Sequence, residues 1–327
     1  MIIVRSPLRI TLGGGGTDLS SFYTKYEGFV IAATIDKYVY VTINRPFKKG
    51  VYIKYSEIES VEKVEHVKHK IIREALKMQN LNTPQIEITT MADIPAGTGL
   101  GSSGSFTTAL LKGLYAHRRR TIHQEELAKL ACEIEIEKLG EPIGKQDQYA
   151  ASHGGLTCFE FHSDHNVTNY PLNIKIETIH NLEDNLLLFF TGFSRSASEI
   201  LQDQQTRSLK QETGIIQNLL YVKKLAYMSK LALEEGDTQK FGEIMHEHWQ
   251  NKKKRSKGMT NTDIDSYYEL GLKNGAIGGK VVGAGGGGFL LFMASDRDKL
   301  RHVLSSVGLE EVRFKFDFEG TKVMYSA

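Results

Sequence analysis

Three glycine-rich segments limit what this chain can form along its length. The first holds four successive glycines at residues 13–16, the second spans residues 97–104, and the third spans residues 283–288. Glycine loses more conformational freedom on folding than any other residue, so such runs are unfavourable inside helices and strands. Each segment is therefore predicted to be a loop between stronger elements, where a ligand or another part of the chain can approach the backbone closely.

Hydrophobic periodicity around these loops predicts clusters of strands and clusters of helices. Alternating branched and aromatic residues predict strands, at residues 1–12, 28–45, 86–91, 155–161, 185–191, 280–294 and 311–325. Apolar residues three and four apart predict helices, at residues 64–76, 106–115, 124–139 and, in several pieces, 204–275. Because strand and helix runs are clustered, we expect an α+β protein with antiparallel sheets. A chain of 327 residues favours two domains, 1–175 and 176–327.

The charge balance excludes some classes of partner. With 41 basic and 39 acidic residues the formal net charge is +2, so the chain as a whole has no electrostatic reason to bind nucleic acid or a membrane. Cys132 and Cys158 form neither a disulfide framework nor a zinc ligand set. No apolar run resembles a signal peptide or a bilayer span, so we expect a cytoplasmic protein. The sequence leaves the oligomeric state open, including a homo-oligomer.

The second glycine segment follows a predicted strand and precedes a predicted helix. Backbone N–H groups and the helix dipole can hold a phosphate there, and serine hydroxyls can bind phosphate oxygens or a magnesium ion. A plain serine N-cap is the competing interpretation. The predicted phosphate-binding residues are Gly97, Gly99, Leu100, Gly101, Ser102 and Ser103.

Two other nucleotide-binding patterns are poorly supported. The dinucleotide pattern G-x-G-x-x-G occurs at residues 99–104 and again at 283–288, but no second parallel strand follows the first match. The Walker motif is absent, because Gly144-Lys145 precedes Gln and Gly279-Lys280 precedes Val. A nicotinamide dehydrogenase stays open as an alternative class, and a tight structural turn stays open for the third glycine segment.

The three segments, in this order, resemble the signature motifs of the GHMP kinase superfamily. The match extends from Arg5 to Met293, and P-x-G-x-G-L-G-S-S at residues 95–103 is its most specific part. The resemblance implies an N-terminal domain similar to ribosomal protein S5 domain 2, a ferredoxin-like C-terminal domain, and ATP with Mg²⁺ in the cleft between them. It also implies that the third segment closes over the substrate side, with Gly285 and Gly286 binding substrate.

Residues 6–18 are similar to the galactokinase segment P-G-R-x-N-L-I-G-E-H-T-D. The similarity implies that Arg9 is the catalytic-site arginine, with an ion pair to Asp147 as an alternative and compatible role. It implies that Asp18 binds sugar hydroxyls, together with Thr17 and with Gly15 and Gly16. Because those two glycines replace the Glu-His pair of galactokinase, galactose itself is disfavoured as the acceptor.

Residues 144–148 resemble the galactokinase element G-x-x-D-Q, which implies that Asp147 is the catalytic aspartate. Glu135, twelve residues earlier, stands where sugar kinases of this superfamily place a magnesium carboxylate, with Ser103 as the second ligand. Glu133 and Glu137 leave another register open. A solvated helix face is the competing interpretation for all three glutamates.

The first motif and residues 191–197 look most like those of the D-glycero-D-manno-heptose 7-phosphate kinases. That resemblance implies phosphorylation of an anomeric hydroxyl, on the way to nucleotide-activated heptose for bacterial capsule or lipopolysaccharide. An L-fucose kinase or a non-catalytic sensor remains an alternative. A phosphorylated acceptor needs a second anion site. Arg195 is the preferred candidate, because the basic run at residues 252–255 is more typical of a solvated helix end.

Overall fold

A computed structural model describes residues 1–80, 85–192, 198–256 and 258–326. The strands are β1 (Ile2–Gly13), β2 (Gly28–Asn44), β3 (Gly50–Lys54), β4 (Ile58–Val61), β5 (Gln85–Ala92), β6 (Leu156–Phe161), β7 (Val167–Pro171), β8 (Leu186–Phe190), β9 (Ala276–Val281), β10 (Phe289–Ala294), β11 (Glu310–Glu311) and β12 (Lys322–Ser326). The α-helices are α1 (Ser20–Tyr26), α2 (Lys70–Met78), α3 (Ser102–His117), α4 (Gln124–Cys132), α5 (Gln146–His153), α6 (Ile176–Asn185), α7 (Ser198–Leu209), α8 (Thr213–Glu235), α9 (Thr238–Lys252), α10 (Thr262–Lys273) and α11 (Arg297–Ser306).

A large sheet is built around the 17-residue strand β2. Its strand order is β12-β1-β2-β5-β3-β4, and β6 with β7 branches from β2. The second half of β2 pairs with β5 and its first half pairs with β6. These pairs are antiparallel as predicted, whereas β3 and β5 are parallel. A long strand that changes partners along its length lets one sheet cover two different layers of helices.

The small sheet has the order β11-β8-β10-β9, and all of its pairs are antiparallel. Helix α9 packs against β9 at very short range, because a Cβ built on Gly278 would lie 2.0 Å from the carbonyl oxygen of Gly242. Only two facing glycines allow this approach. As a result, the C-terminal end of α9 reaches the loop that follows β9.

Helix α3 is buried on nearly every side. It packs against β1, β2, α4 and α5, and Leu110, Leu111 and Leu114 are inaccessible to solvent. A helix that is apolar all round is stable only inside a protein core. Its N-terminus is therefore held rigidly, and that end carries the second glycine segment.

The strand predicted at residues 311–325 is wrong over most of its length. The chain pairs with β8 at Glu310 and Glu311, Phe316 forms an isolated bridge with Ile35, and a strand resumes only at Lys322, where β12 pairs with β1. Phe314 and Phe316 are nevertheless buried, at 7% exposure each. Their alternation with polar residues reflects burial against the core without a ladder of hydrogen bonds, and periodicity does not distinguish the two cases.

The predicted α+β class is confirmed, and two boundaries differ from expectation. The helix predicted from residue 64 begins only at Lys70, where the ring of His69 accepts a hydrogen bond from Ile72 N. The helix predicted at residues 124–139 continues beyond Cys132 as a π-helix, Glu133–Lys138. The domain boundary near residue 175 stays a prediction, and β12 returns from the end of the chain to the large sheet. Within the described parts of the chain, no helix combines the length and the apolar character that crossing a membrane requires.

Candidate active site

The second glycine segment connects β5 to the N-terminus of α3. Gly97, Gly99 and Gly101 have φ angles of +80°, +88° and +79°, which side-chain-bearing residues rarely adopt. The loop is fastened to β1, because Arg9 N donates to the Leu100 carbonyl at 2.9 Å and Arg9 Nη1 donates to the Gly99 carbonyl at 2.5 Å. The backbone here is shaped to receive an anion in front of a helix N-terminus.

The third glycine segment, between β9 and β10, packs directly on this loop. A Cβ on Gly283 would lie 2.6 Å from Gly99 Cα, and a Cβ on Gly288 would lie 2.1 Å from the Thr98 carbonyl oxygen. Neither position has room for a side chain. The glycines of this segment therefore allow two loops to meet backbone to backbone, and a tight turn alone does not account for them.

Arg9 and Asp147 form a two-point ion pair beside the loop. Arg9 Nε and Nη2 donate to the two carboxylate oxygens of Asp147 at 2.8 and 2.9 Å. Gln146 Nε2 also donates to Asp147, at 3.0 Å. The Asp147 side chain is 28% exposed, whereas that of Arg9 is 6% exposed. The carboxylate is thus fixed in orientation and still open to a ligand.

Glu135 lies close to the same loop. Ser103 Oγ donates to one of its carboxylate oxygens, and Gln148 Nε2 donates to the other at 3.0 Å. Burial raises the pKa of Glu135, and the charge of Asp147 adds to the shift, whereas the hydrogen bonds from Ser103 and Gln148 oppose it. Glu137 is exposed and Glu133 pairs with Lys138, so among the three glutamates only Glu135 faces the loop. The π-helix turns this residue inward.

Two cavities meet at the Arg9–Asp147 pair. The larger, about 470 Å³, is lined by the second glycine segment, by Glu135 and by His69, Ile71 and Leu139. The smaller is lined by Asp18, Gly15 and Gly16 and by basic residues of the C-terminal half. Two adjoining cavities with convergent polar groups suit the binding of small molecules.

Comparisons with known proteins agree with this geometry. Residues 65–155 match the family described as GHMP kinases N terminal domain, and residues 229–311 match GHMP kinases C terminal. The D-glycero-alpha-D-manno-heptose 7-phosphate kinase of Campylobacter jejuni is 32% identical over 98% of each chain. The chain belongs to the GHMP kinases.

Two further relatives bear on the acceptor. The crystal structure of a D-glycero-D-manno-heptose 1-phosphate kinase from Bacteroides thetaiotaomicron superposes with a TM-score of 0.83 and 28% identity, over all of both chains. The bifunctional fucokinase/GDP-fucose pyrophosphorylase of Arabidopsis thaliana is 29% identical over 72% of this chain and 23% of that protein. This GHMP kinase is accordingly an ATP-dependent sugar kinase, and the dehydrogenase alternative is wrong.

Most of the predicted residues lie in the GHMP kinase cleft. The predicted residues that line the larger cavity are Arg9, Gly97, Gly99, Gly101, Ser102, Ser103, Glu135, Asp147 and Gly285. Those that line the smaller cavity are Arg9, Gly15, Gly16, Asp18 and Asp147. Arg195 lies outside the described residues. Their roles in binding and catalysis stay predictions.

Three predicted residues are placed differently from expectation, and a fourth, Leu100, keeps its backbone in the loop as predicted while its side chain lies elsewhere. The Thr17 side chain is fully buried, and its hydroxyl donates to the carbonyls of Gly14 and Phe29, so it supports the loop and does not face the acceptor cavity. Leu100 packs its side chain into the core. Gly285 lines the larger cavity and not the smaller, and Gly286 lines neither, since its N–H donates to the Met259 carbonyl.

Two backbone N–H groups hold the carboxylate of Asp18 in the wall of the smaller cavity. The N–H groups of Gly16 and Gln146 donate to its carboxylate at 3.1 and 3.2 Å. A Cβ on Gly144 would lie 1.9 Å from the same carboxylate, which explains the glycine there. Burial raises the pKa of Asp18, and the nearby charge of Asp147 adds to the rise.

The expectation of a solvated face for residues 252–255 is wrong for two of the four. Lys252 is 6% exposed and Arg255 is 2% exposed, and both line the smaller cavity. Lys254 is exposed, as expected. The run therefore places Lys252, the last residue of α9, and Arg255, in the turn that follows, at the cavity and leaves Lys254 exposed to solvent.

Proposed function

We propose that this kinase transfers the γ-phosphoryl group of ATP to the anomeric hydroxyl of D-glycero-D-manno-heptose 7-phosphate. The product would be the 1,7-bisphosphate, an intermediate for nucleotide-activated heptose and surface glycans. The name of the Campylobacter jejuni relative, which matches over nearly the whole of both chains, supports this acceptor. The observation that carries the proposal is the smaller cavity, which is lined by Asp147 and by the buried guanidinium of Arg255, a group suited to an anionic sugar. The proposal places this reaction in the cytoplasm.

The site residues support a direct phosphoryl transfer. The acceptor oxygen attacks the γ-phosphorus, the bond from that phosphorus to the bridging oxygen breaks, ADP leaves, and the hydroxyl proton passes to Asp147. A carboxylate oxygen that already accepts from arginine keeps a free lone pair, so Asp147 can serve as the proton acceptor within its ion pair. Arg9, next to the loop, stabilises the charge that develops on the transferred group.

Ser103 and Glu135 fit a magnesium ion. A hydroxyl and a carboxylate oxygen, already within hydrogen-bond contact of one another at the mouth of the phosphate loop, are the hard oxygen donors that Mg²⁺ prefers. Magnesium keeps several of its waters, so two protein ligands suffice. When bound, it would neutralise charge on the β- and γ-phosphate oxygens.

The acceptor is tested by coupled ADP release with a panel of sugars. The panel contains heptose 7-phosphate, heptose 1-phosphate, unphosphorylated heptose, L-fucose and galactose. We expect the highest kcat/KM with heptose 7-phosphate and the 1,7-bisphosphate as its product. A higher kcat/KM with any other sugar would assign the enzyme to that acceptor instead.

The proposed role of Asp147 is tested with Asp147→Asn. The amide is nearly isosteric but cannot accept the proton, so turnover should fall to less than about a tenth of the wild-type rate, within the usual range for loss of a general base. ATP binding, measured by calorimetry, should remain. A variant that keeps more than a tenth of the wild-type rate would refute the assignment.

An L-fucose 1-kinase is the second candidate, and the fucokinase relative from Arabidopsis thaliana supports it. The same panel separates it from the first proposal through the fucose arm. A non-catalytic sensor would bind ATP or sugar in the calorimeter and release no ADP with any member of the panel.

A further inference from the structure

Arg255 is a buried arginine in which one side-chain nitrogen, Nη2, has no hydrogen-bond partner among the described residues. It follows the C-terminal end of α9, and Nε donates to Asn218 Oδ1 at 2.9 Å while Nη1 donates to the Gly15 carbonyl at 3.0 Å. Arg207 Nη1 donates to the backbone carbonyl of Arg255 at 2.7 Å. Among the described residues, none accepts a hydrogen bond from Nη2. A guanidinium that is held in place and still has an unused N–H group is poised for an acceptor from outside the protein.

Gln204, from α7, lies next to it at the edge of the same cavity. Its side chain is 1% exposed, and in the described parts of the chain no donor reaches Oε1. A Cβ built on Gly16 would lie 2.5 Å from Arg255 Nη1 and 3.4 Å from Gln204 Oε1. The two side chains therefore flank Gly16, and the missing side chain at that position makes room for the guanidinium.

The other charges of the cavity are already committed. Arg9 is paired with Asp147, and Lys252 Nζ donates to the carbonyls of Val281 and Gly283 at 3.2 and 2.5 Å. Burial lowers the pKa of Arg255 to about 10, with Asp18 opposing the shift, so the guanidinium is charged at neutral pH. Of the three basic residues that line the smaller cavity, Arg255 is the one with a side-chain nitrogen that has no hydrogen-bond partner among the described residues.

We propose that Arg255 binds the phosphate group of the acceptor sugar through Nη2, and that Gln204 Oε1 accepts a hydrogen bond from a neighbouring sugar hydroxyl. This assignment rests on the proposed function, since it requires an acceptor that carries phosphate. Lys252 is a positioning residue, because it fastens the third glycine segment to α9. Asp18 acts on the guanidinium only through space, since among the described residues its carboxylate accepts no hydrogen bond from Arg255, whereas a phosphate dianion can pair with Nη2 directly.

The test compares D-glycero-D-manno-heptose 7-phosphate with the unphosphorylated heptose in the ADP-release assay. Loss of a charge-assisted hydrogen bond should raise KM for the 7-phosphate in Arg255→Met at least about tenfold. KM for the free heptose and for ATP should change little, so the preference for the phosphorylated sugar collapses. Lys254→Gln, which removes an exposed cation of the same basic run, is the matched control and should keep the wild-type preference.

Gln204→Glu provides a second variant that leaves the contacts of Arg255 with Gly15 and Asn218 in place. The new carboxylate is close in size to the amide and can still accept from a hydroxyl, but it either pairs with Arg255 or repels the phosphate. KM for the 7-phosphate should therefore rise by a larger factor than KM for the free heptose, because only the 7-phosphate carries the charge that the new carboxylate repels. If Arg255→Met does not fold, Arg255→Lys takes its place. Lysine keeps the positive charge but lacks the planar set of N–H donors of arginine, so KM for the 7-phosphate should rise less than with the charge removed.

The outcomes distinguish the two proposals. A wild-type enzyme that releases ADP with sugars but shows no preference for the 7-phosphate, or variants of Arg255 and Gln204 that retain that preference, would overturn this phosphate site and leave a sugar kinase. A loss of preference in Lys254→Gln as large as in Arg255→Met would also overturn it. If the wild-type enzyme releases no ADP with any sugar of the panel, the proposed function and this site fall together.

Discussion

Lys280, on β9, places an ammonium group inside the protein. It is 2% exposed, its Nζ donates to the Leu12 carbonyl at 3.0 Å, and His248 Nδ1 lies 3.4 Å away. Burial lowers the pKa of Lys280 to about 7, and the charges of Arg9 and Arg255 add to the shift. Burial, followed by the charges of Lys280, Arg255 and Lys252, holds the pKa of His248 well below its ordinary value, so its ring can accept the hydrogen bond from Lys280. Lys280 and His248 are therefore buried among other cations, in surroundings that disfavour a positive charge on either side chain.

This burial predicts a pH dependence of stability. The unfolded chain holds the Lys280 proton up to about pH 10.5, whereas the folded protein releases it near pH 7. The cost of burying the charge is thus present in full below pH 7 and disappears as the pH rises toward 10.5. The free energy of unfolding of the wild type should therefore rise over this window relative to Lys280→Met, by up to about 1.4 kcal/mol per pH unit.

Urea unfolding at pH 6.5, 8 and 9.5 measures this difference. Lys273→Met, which replaces an exposed lysine at the end of α10, should follow the wild-type pH profile. Parallel profiles for wild type and Lys280→Met would show that the buried ammonium keeps its proton throughout.

At the scale of elements, the phosphate loop depends on a loop from the other half of the chain. The third glycine segment packs against residues 98–99, and Lys252 at the end of α9 donates to the carbonyls of Val281, at the end of β9, and of Gly283, in the segment itself. The close approach of Gly242 and Gly278 brings α9 and β9 into the register that makes this contact. The geometry of the loop predicted to bind ATP phosphates is therefore set partly by residues outside that loop.

Gly288→Ala tests this dependence. Gly288 has a φ of +87°, and an added Cβ would lie 2.1 Å from the Thr98 carbonyl oxygen, so the phosphate loop must move. Small displacements of a positioning loop are costly, and we expect kcat/KM for ATP to fall by about tenfold or more.

Gly308→Ala is the matched control for Gly288→Ala. Gly308 has nearly the same φ, +88°, but within the described chain no atom from outside its immediate neighbourhood would lie within 4 Å of an added Cβ. Gly308→Ala therefore introduces backbone strain without a steric clash. It should lower the free energy of unfolding by about 1 kcal/mol and leave kcat/KM for ATP unchanged. Equal losses of kcat/KM in the two variants would show that the contact between the loops is unimportant.

At the scale of the molecule, residues near the end of the sequence form the edge strand β12 of the large sheet. Asp317 is 5% exposed and accepts hydrogen bonds from Tyr38 Oη and Gly320 N, both at 2.9 Å. Thr321 Oγ1 then donates to the Ala151 carbonyl at 2.9 Å, and β12 pairs with β1. The last residues thus join the strand that carries Arg9, so both ends of the chain stabilise one element of the site.

Asp317→Ala should destabilise the protein without changing the site. The substitution leaves the buried donors of Tyr38 and Gly320 unpaired, so we expect the free energy of unfolding to fall by about 2–4 kcal/mol. Glu319→Ala, which removes a half-exposed partner of Arg5 from the same turn, should cost less than about 1 kcal/mol. Urea unfolding measures both, and KM for ATP should be unchanged in both. A similar cost for the two substitutions would refute the role of Asp317.

The local sequence determined the features that depend on backbone conformation and short-range pattern. The glycine loops, the buried helix α3 and most of the central strands follow from glycine's freedom at positive φ and from hydrophobic periodicity. Glu135 and Asp147, the two carboxylates of the cleft, were predicted from the resemblance to sugar kinases and not from local pattern, and they lie on the π-helix Glu133–Lys138 and on α5.

Only the tertiary structure decided which cations enter the acceptor cavity. The run at residues 252–255 looks like a solvated helix end, and nothing local distinguishes Lys252 and Arg255 from Lys254. Their direction is set by the packing of α9 on β9 and by the carbonyls of Gly15, Val281 and Gly283, which are remote in sequence. Buried polar groups take their partners from the whole fold, so a pattern along the chain determines where a loop forms but not which charges come to face it.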